Sequence, residues 1–150
     1  MRVHVSRLFV VTALAAVSVF VAGCGETPTA PSSYAPYSQT DLRVGTGALA
    51  ETGKTITVNY SGWLYNESQP DNKGAMFGTS MGTAGFAFAL GSGQVIQGWE
   101  QGVPGMRVGG MRRLVIPPSL AYGGTRNSVI PPNATLIFEI ELLGVAEAGQ

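Results

Sequence analysis

Four stretches of this 150-residue chain alternate apolar and polar residues with a period of two, and one short stretch between them changes to a helical period. In TITVNYSGWLY, Ile56, Val58, Tyr60 and Leu64 fall on one face and Thr55, Thr57, Asn59 and Ser61 on the other, the pattern of a strand with one side in a core. FAFAL repeats it with Phe86, Phe88 and Leu90. RRLVIPP is a third such stretch, ended by Pro117 and Pro118, which have no N–H to give a ladder. ATLIFEIELLGV opposes Leu136, Phe138, Ile140 and Leu142 to Ile137, Glu139 and Glu141. Between the second and third, VIQGWEQGVPGMRVGG sets Ile96, Trp99 and Val103 at i, i+3 and i+7, the apolar stripe of a short helix. A mostly antiparallel sheet with one helix against it is an α+β domain.

With 45% hydrophobic and 12% charged residues, the chain suits one globular domain with a sizeable core. Nine Lys and Arg balance nine Asp and Glu, so no basic surface offers itself to nucleic acid phosphates, which need clustered cations.

The beginning is not fold. MRVHVSRLFVVTALAAVSVFVAGC carries Arg2 and Arg7, an apolar run from Leu8 to Ala22, and small residues before Cys24, the layout of an export signal. Val21-Ala22-Gly23-Cys24 is similar to the lipobox of bacterial lipoproteins, in which the cysteine is diacylated and becomes the mature N-terminus. An ordinary signal with an incidental cysteine, or a membrane anchor, are the alternatives, although the run is short for the roughly 30 Å of a hydrocarbon core. Residues 1–23 are thus expected to be a lipoprotein signal peptide. Residues 24–40, with Pro28, Pro31 and Pro36 among Ser, Thr and Ala, are expected to be a lipidated tether, and residues 41–150 a folded domain. The expected location is the bacterial envelope, outside the cytoplasm, and Gly25 after the cysteine favours an outer membrane where one exists.

Covalent chemistry finds little to work with. His4, in the signal, is the sole histidine and Cys24 the sole cysteine, so no Ser-His or Cys-His pair, internal disulfide, or His or Cys metal site is expected in the domain. Glu139 and Glu141 fall on the polar face of a strand, and GSGQVIQG lacks the lysine of a phosphate loop. What remains is aromatic: Tyr60, Phe77, Phe86, Trp99, Tyr122 and Phe138, each by itself an ordinary core residue.

Taken together and in order, TVNYSGWL, MFGTS, FAFALGSGQVIQGWEQGVPGMRVGGMRRLVIPPSLAYG and VIPPNATLIFEIELL resemble the FKBP-type peptidyl-prolyl cis-trans isomerases over about residues 41 to 145. The resemblance implies a five-stranded antiparallel sheet wrapped around the short helix, with a shallow apolar pocket between them. It implies catalytic roles for Tyr60, Phe77, Trp99, Tyr122 and Phe138, with Trp99 as the floor, and substrate binding by Phe86, Val95, Ile96 and Ile130. It also implies that the Ile96 N–H and the Tyr122 hydroxyl donate to the bound peptide. The implied partners are proline-containing polypeptides of the envelope and macrolide ligands acting as inhibitors. No cofactor or metal is called for. Rotation about an X-Pro amide forms and breaks no covalent bond, so a site without a nucleophile is adequate to it. A binding module or chaperone with weak or no isomerase activity is the alternative.

Two departures from the family pattern stand out. Where the family commonly has an Asp that helps orient the Tyr122 position, this chain has Gly78, and TSMGTAG after it lacks the usual Arg partner. The segment between Tyr65 and Phe77 is also several residues longer than the short family form and is expected at the pocket rim.

Overall fold

The computed structural model describes residues 34–125 and 129–147, so the expectations for the export signal, for Cys24 and for most of the tether concern residues outside that range. Strands β1 (Ser38–Arg43), β2 (Lys54–Tyr65), β3 (Lys73–Thr79) and β4 (Phe86–Ala89) are followed by helix α1 (Gln97–Gly102), then β5 (Met111–Ile116) and β6 (Leu136–Glu147). Every pairing between strands is antiparallel, in the order β1-β5-β6-β2. The remaining side of β2 is shared, β4 pairing with Thr55–Val58 and β3 with Ser61–Tyr65. Six strands therefore occupy five positions across one sheet, and the α+β architecture expected from the alternating pattern is present.

The alternation does what period two requires. Ile56 and Val58 of β2, Leu114 and Ile116 of β5, and Leu136, Ile140 and Leu142 of β6 are enclosed on one face, each contributing about 1.5 to 3 kcal/mol of apolar burial. On the opposite face lie Ser61, Arg113, Glu139 and Glu141. Breaks of register in β2 between Thr57 and Val58, and again between Gly62 and Tyr65, are bulges, which increase local twist and curl the sheet about α1. The helix presses Trp99 and Val103 into the core.

Strand β1 starts at Ser38, inside the stretch expected to be tether, and it is fastened to the back of α1. The Tyr37 hydroxyl donates to the Gly98 carbonyl at 3.3 Å. Arg112, buried at 8% exposure, donates to both oxygens of Asp41 at 2.6 and 3.2 Å. Its remaining N–H groups reach the Gly102 and Pro104 carbonyls at 2.8 and 3.2 Å. One buried cation thereby meets a carboxylate partner and the orphan carbonyls at the end of a helix.

The long segment after Tyr65 does not stand at the pocket rim. Asp71 lies 3.7 Å from Arg113, and Lys73 pairs with Glu139 at 2.7 Å while its ammonium sits 4.3 Å from the centre of the Trp63 ring. Arg113 and Glu139 belong to the outward rows of β5 and β6, so the segment is drawn onto the face of the sheet opposite the core. It lines a separate cleft with Leu64 and Tyr65.

These ion pairs set a response to acid. The hydrogen bond from Arg112, helped by its charge, holds the Asp41 carboxyl below the usual carboxylate range against the opposing effect of burial. Burial raises Glu139, but hydrogen bonds from Lys73 and Arg113 outweigh it and leave the group lowered. A carboxylate with a depressed folded-state pKa contributes stability above its unfolded value, about 3.9 for Asp and 4.3 for Glu, and that contribution is lost as pH falls through the folded value. The denaturant midpoint is expected to be level from neutrality to about pH 5 and to drop below about pH 4, with Glu139→Gln shallower than the natural chain. Equal steepness in the natural, Glu139→Gln and Asp41→Asn forms would remove these pairs from the account.

Candidate functional site

Five aromatic rings meet at the mouth of the sheet, around the indole of α1. Trp99, 4% exposed, has Phe138 at 5.2 Å and Tyr60 at 5.3 Å between ring centres, with Phe88 at 5.7 Å and Phe86 at 6.1 Å. All but Phe88 meet it edge-on, a favoured geometry between aromatic quadrupoles. Phe77 extends the group by an edge contact of 5.4 Å with Phe138. Period two puts Tyr60 and Phe138 on the core face of neighbouring strands, and α1 lifts Trp99 between them.

Above this floor opens a cleft of about 430 Å³ lined by Tyr60, Phe77, Phe86, Val95, Ile96, Trp99, Tyr122, Ile130 and Phe138, together with Gly78, Gln94 and Val129. The first nine are the residues expected from the sequence, and they surround one cavity. Gln94 and Val129 fall outside the set expected from the sequence and adjoin Val95 and Ile130 within it.

The wall formed by Val95 and Ile96 is held in place from behind. The Glu100 carboxylate accepts from the N–H groups of Gly91 at 2.6 Å and Gly93 at 2.9 Å, and the Gln94 side-chain carbonyl accepts from the Ala89 N–H at 2.9 Å. Ile96, which caps α1 with an extended backbone (φ −60°, ψ 151°), accepts from the N–H groups of Trp99 and Glu100. Among the described residues its own N–H meets no acceptor. The Tyr60 and Tyr122 hydroxyls and the Gln94 amide nitrogen are likewise uncommitted there. Burial, with the neighbouring Tyr60 adding to it, pushes the Tyr122 hydroxyl above the ordinary tyrosine range, so it remains a donor throughout the neutral range. The described lining contains no Asp, Glu, Lys, Arg or His.

Gly78 sits at the edge of this cleft. A Cβ built on it would lie 4.0 Å from both Cε2 and the hydroxyl oxygen of Tyr60, with no atom of Tyr122 within 4 Å. A side chain at this position would start beside the Tyr60 ring, in the same cleft as Tyr122. Among the described residues no group of three His, Cys, Asp or Glu side chains is placed to hold a metal ion. No helix among them is long and apolar enough to cross a membrane.

Residues 47–143 match the family described as FKBP-type peptidyl-prolyl cis-trans isomerase. An FK506-binding protein of Neisseria meningitidis serogroup B is 48% identical over 109 residues, covering 71% of this chain and 94% of the relative. A 46 kDa FK506-binding nuclear protein of Spodoptera frugiperda is 47% identical over 106 residues, 70% of this chain but 24% of the relative, so this chain spans about a quarter of that longer protein. Among solved structures, FkpA from Escherichia coli superposes with a TM-score of 0.64 at 37% identity, over 75% of this chain and 49% of the other. A match across most of the folded residues, and a bacterial relative covered almost end to end, establish that the chain belongs to the FKBP-type peptidyl-prolyl cis-trans isomerase family.

Proposed function

We propose that this chain accelerates cis-trans rotation about X-Pro bonds in exported or envelope proteins. The observation that carries this reading is an apolar aromatic floor ringed by uncommitted hydrogen-bond donors, with no Asp, Glu, Lys, Arg, His or Cys among its described lining residues. Rotation must overcome about 18 to 20 kcal/mol of amide resonance, and unassisted it takes tens to hundreds of seconds. A half-rotated amide has lost conjugation and is less dipolar than the planar one. It therefore loses less on leaving water for an apolar cleft, and stabilising the twisted form more than the planar form is catalysis. With the proline ring on Trp99, the Ile96 N–H is the donor for a peptide carbonyl, and the Tyr122 hydroxyl is a second. One preorganised donor of this kind contributes about 3 kcal/mol, on the order of a hundredfold in rate.

A binding module with little turnover is the second reading, and Gly78 motivates it, because the Asp that the family commonly has at this position is absent. The aromatic floor and the Ile96 N–H do not depend on that carboxylate, so the enzymatic reading is preferred. A protease-coupled assay on an X-Pro peptide, with and without a macrolide of the FK506 type, separates them. Catalysis abolished by the macrolide is expected. Macrolide binding without catalysis would establish the module.

The same proposal places the protein at the cell envelope through Cys24, whose lipobox-like setting is the support for it. A single acyl chain anchors only marginally, whereas the several chains of a lipoprotein cysteine anchor stably. Mass spectrometry of the protein isolated from a bacterial host should show a mature N-terminus at a lipid-modified Cys24. An unmodified mature N-terminus would rule out the anchor.

A further inference from the structure

The cleft combines two properties that together bear on which prolyl bonds it receives. Its donors are in excess: the Ile96 N–H, the Tyr60 and Tyr122 hydroxyls and the Gln94 amide have no acceptor among the described residues, while the Gln94 carbonyl is already taken by the Ala89 N–H. Its described lining also contains no anion. Glu100 is turned to the loop behind the wall, and Asp71 and Glu139 are engaged on the opposite face of the sheet. At Gly78, the edge next to Tyr60, there is space where a side chain would stand. Its Cβ would meet nothing nearer than 4.0 Å, and the backbone there is not in the left-handed region.

We infer that the cleft accepts an acidic residue immediately before proline as readily as its uncharged isostere, and that Gly78 is the determinant of this tolerance. This inference rests on the reading of the cleft as a prolyl-peptide site. The residue before proline contributes the carbonyl of the rotating bond, so its side chain stays within about one residue length, 3.8 Å of chain, of the amide held over Trp99. A carboxylate so placed meets hydroxyl and amide donors, which suit an anion, and meets no like charge. An Asp at position 78 would bring a second carboxylate to the same edge. At separations of several ångströms in a half-open cleft, like charges repel enough to cost on the order of tenfold in affinity, and salt would reduce that cost.

The experiment compares two peptides, Ala-Glu-Pro-Phe and Ala-Gln-Pro-Phe, on the natural protein and on the Gly78→Asp and Gly78→Asn variants. Turnover is read by the protease-coupled assay and affinity by the shift of the Trp99 indole N–H in nuclear magnetic resonance titrations. For the natural protein the Gln and Glu peptides should agree within about threefold in both readouts, the spread left by partial solvent screening. Gly78→Asp should raise the Gln-over-Glu ratio by about tenfold, and half a molar or more of salt should shrink that ratio. Gly78→Asn, of the same size without the charge, should leave the ratio at its natural value.

A natural preference for Gln of tenfold or more, equal effects of Asp and Asn, or failure of both peptides to bind would each overturn the inference. Binding of both peptides without turnover would overturn the isomerase reading alone, and the affinity ratios would still decide this one.

Discussion

Trp99→Leu should lower kcat/KM for an X-Pro peptide by at least about tenfold while leaving a folded domain. On the proposed reading a proline ring rests on the indole, and losing roughly 60 Å² of apolar contact there amounts to about 1.5 kcal/mol, or a factor of about ten. The loss should fall on KM and kcat together, because the floor holds the proline ring in the bound planar state and also favours the less dipolar twisted amide over it. Stability should fall too, since four aromatic neighbours converge on this ring. Leucine retains part of the volume, so the cost should stay below the about 3 to 5 kcal/mol of truncation to alanine. One further circumstance reduces it. Among the described residues the buried indole Nε1 has no hydrogen-bond partner, and removing an unsatisfied donor recovers part of a desolvation cost of about 1 to 3 kcal/mol. Circular dichroism and thermal unfolding establish whether the variant folds. A folded variant with natural turnover would show that the floor is core alone.

The alternating strands and the helix were legible because burial on one face imposes the apolar period. Ile56 and Val58, then Leu136, Ile140 and Leu142, are buried as that period requires. Strands β1 and β3 were not legible, for different reasons. Every residue of β1 is exposed, so SQTDLR has no apolar face to reveal it, and its place is fixed by Arg112, far away in sequence. In β3, two glycines and the shifted register against Trp63 interrupt the alternation. The pocket residues could be named because the sequence resembles a family, whereas composition alone marked each aromatic as core. In the structure the distinction is one of degree: Trp99 and Phe138 are 4% exposed, and Phe86 and Tyr122 are 40% exposed at the same cleft. The orientation of the long segment after Tyr65 depends on ion pairs between residues 42 and 66 positions apart, Asp71 with Arg113 and Lys73 with Glu139. No local pattern announces such pairs.

Gly98→Ala should destabilise the domain even though it improves the helix. On propensity alone, alanine gains about 1 kcal/mol over glycine inside a helix. Gly98, however, is one of two points, with Gly102, at which α1 lies on β5. A Cβ there would stand 2.4 Å from Cγ2 of Ile116, 2.6 Å from Cδ1 and 2.9 Å from Cγ1. Ile116 is wholly buried, and its β-branched side chain is stiff about the first torsion, so the contact is relieved by displacing α1 and not by a rotamer change. Overpacking of this sort costs about 1 to 3 kcal/mol and at times more, which exceeds the propensity gain. Because Trp99 and Ile96 ride on the displaced helix, kcat/KM should fall along with stability. The pairing with Ile116 can be isolated by a double-mutant cycle. Ile116→Ala opens the space that the new methyl needs, so Gly98→Ala should cost less stability in that background than in the natural one. If Gly98→Ala is as stable as the natural chain, or if its cost is the same in both backgrounds, the helix tolerates a wider separation from β5 and the floor of the cleft is not fixed by this contact.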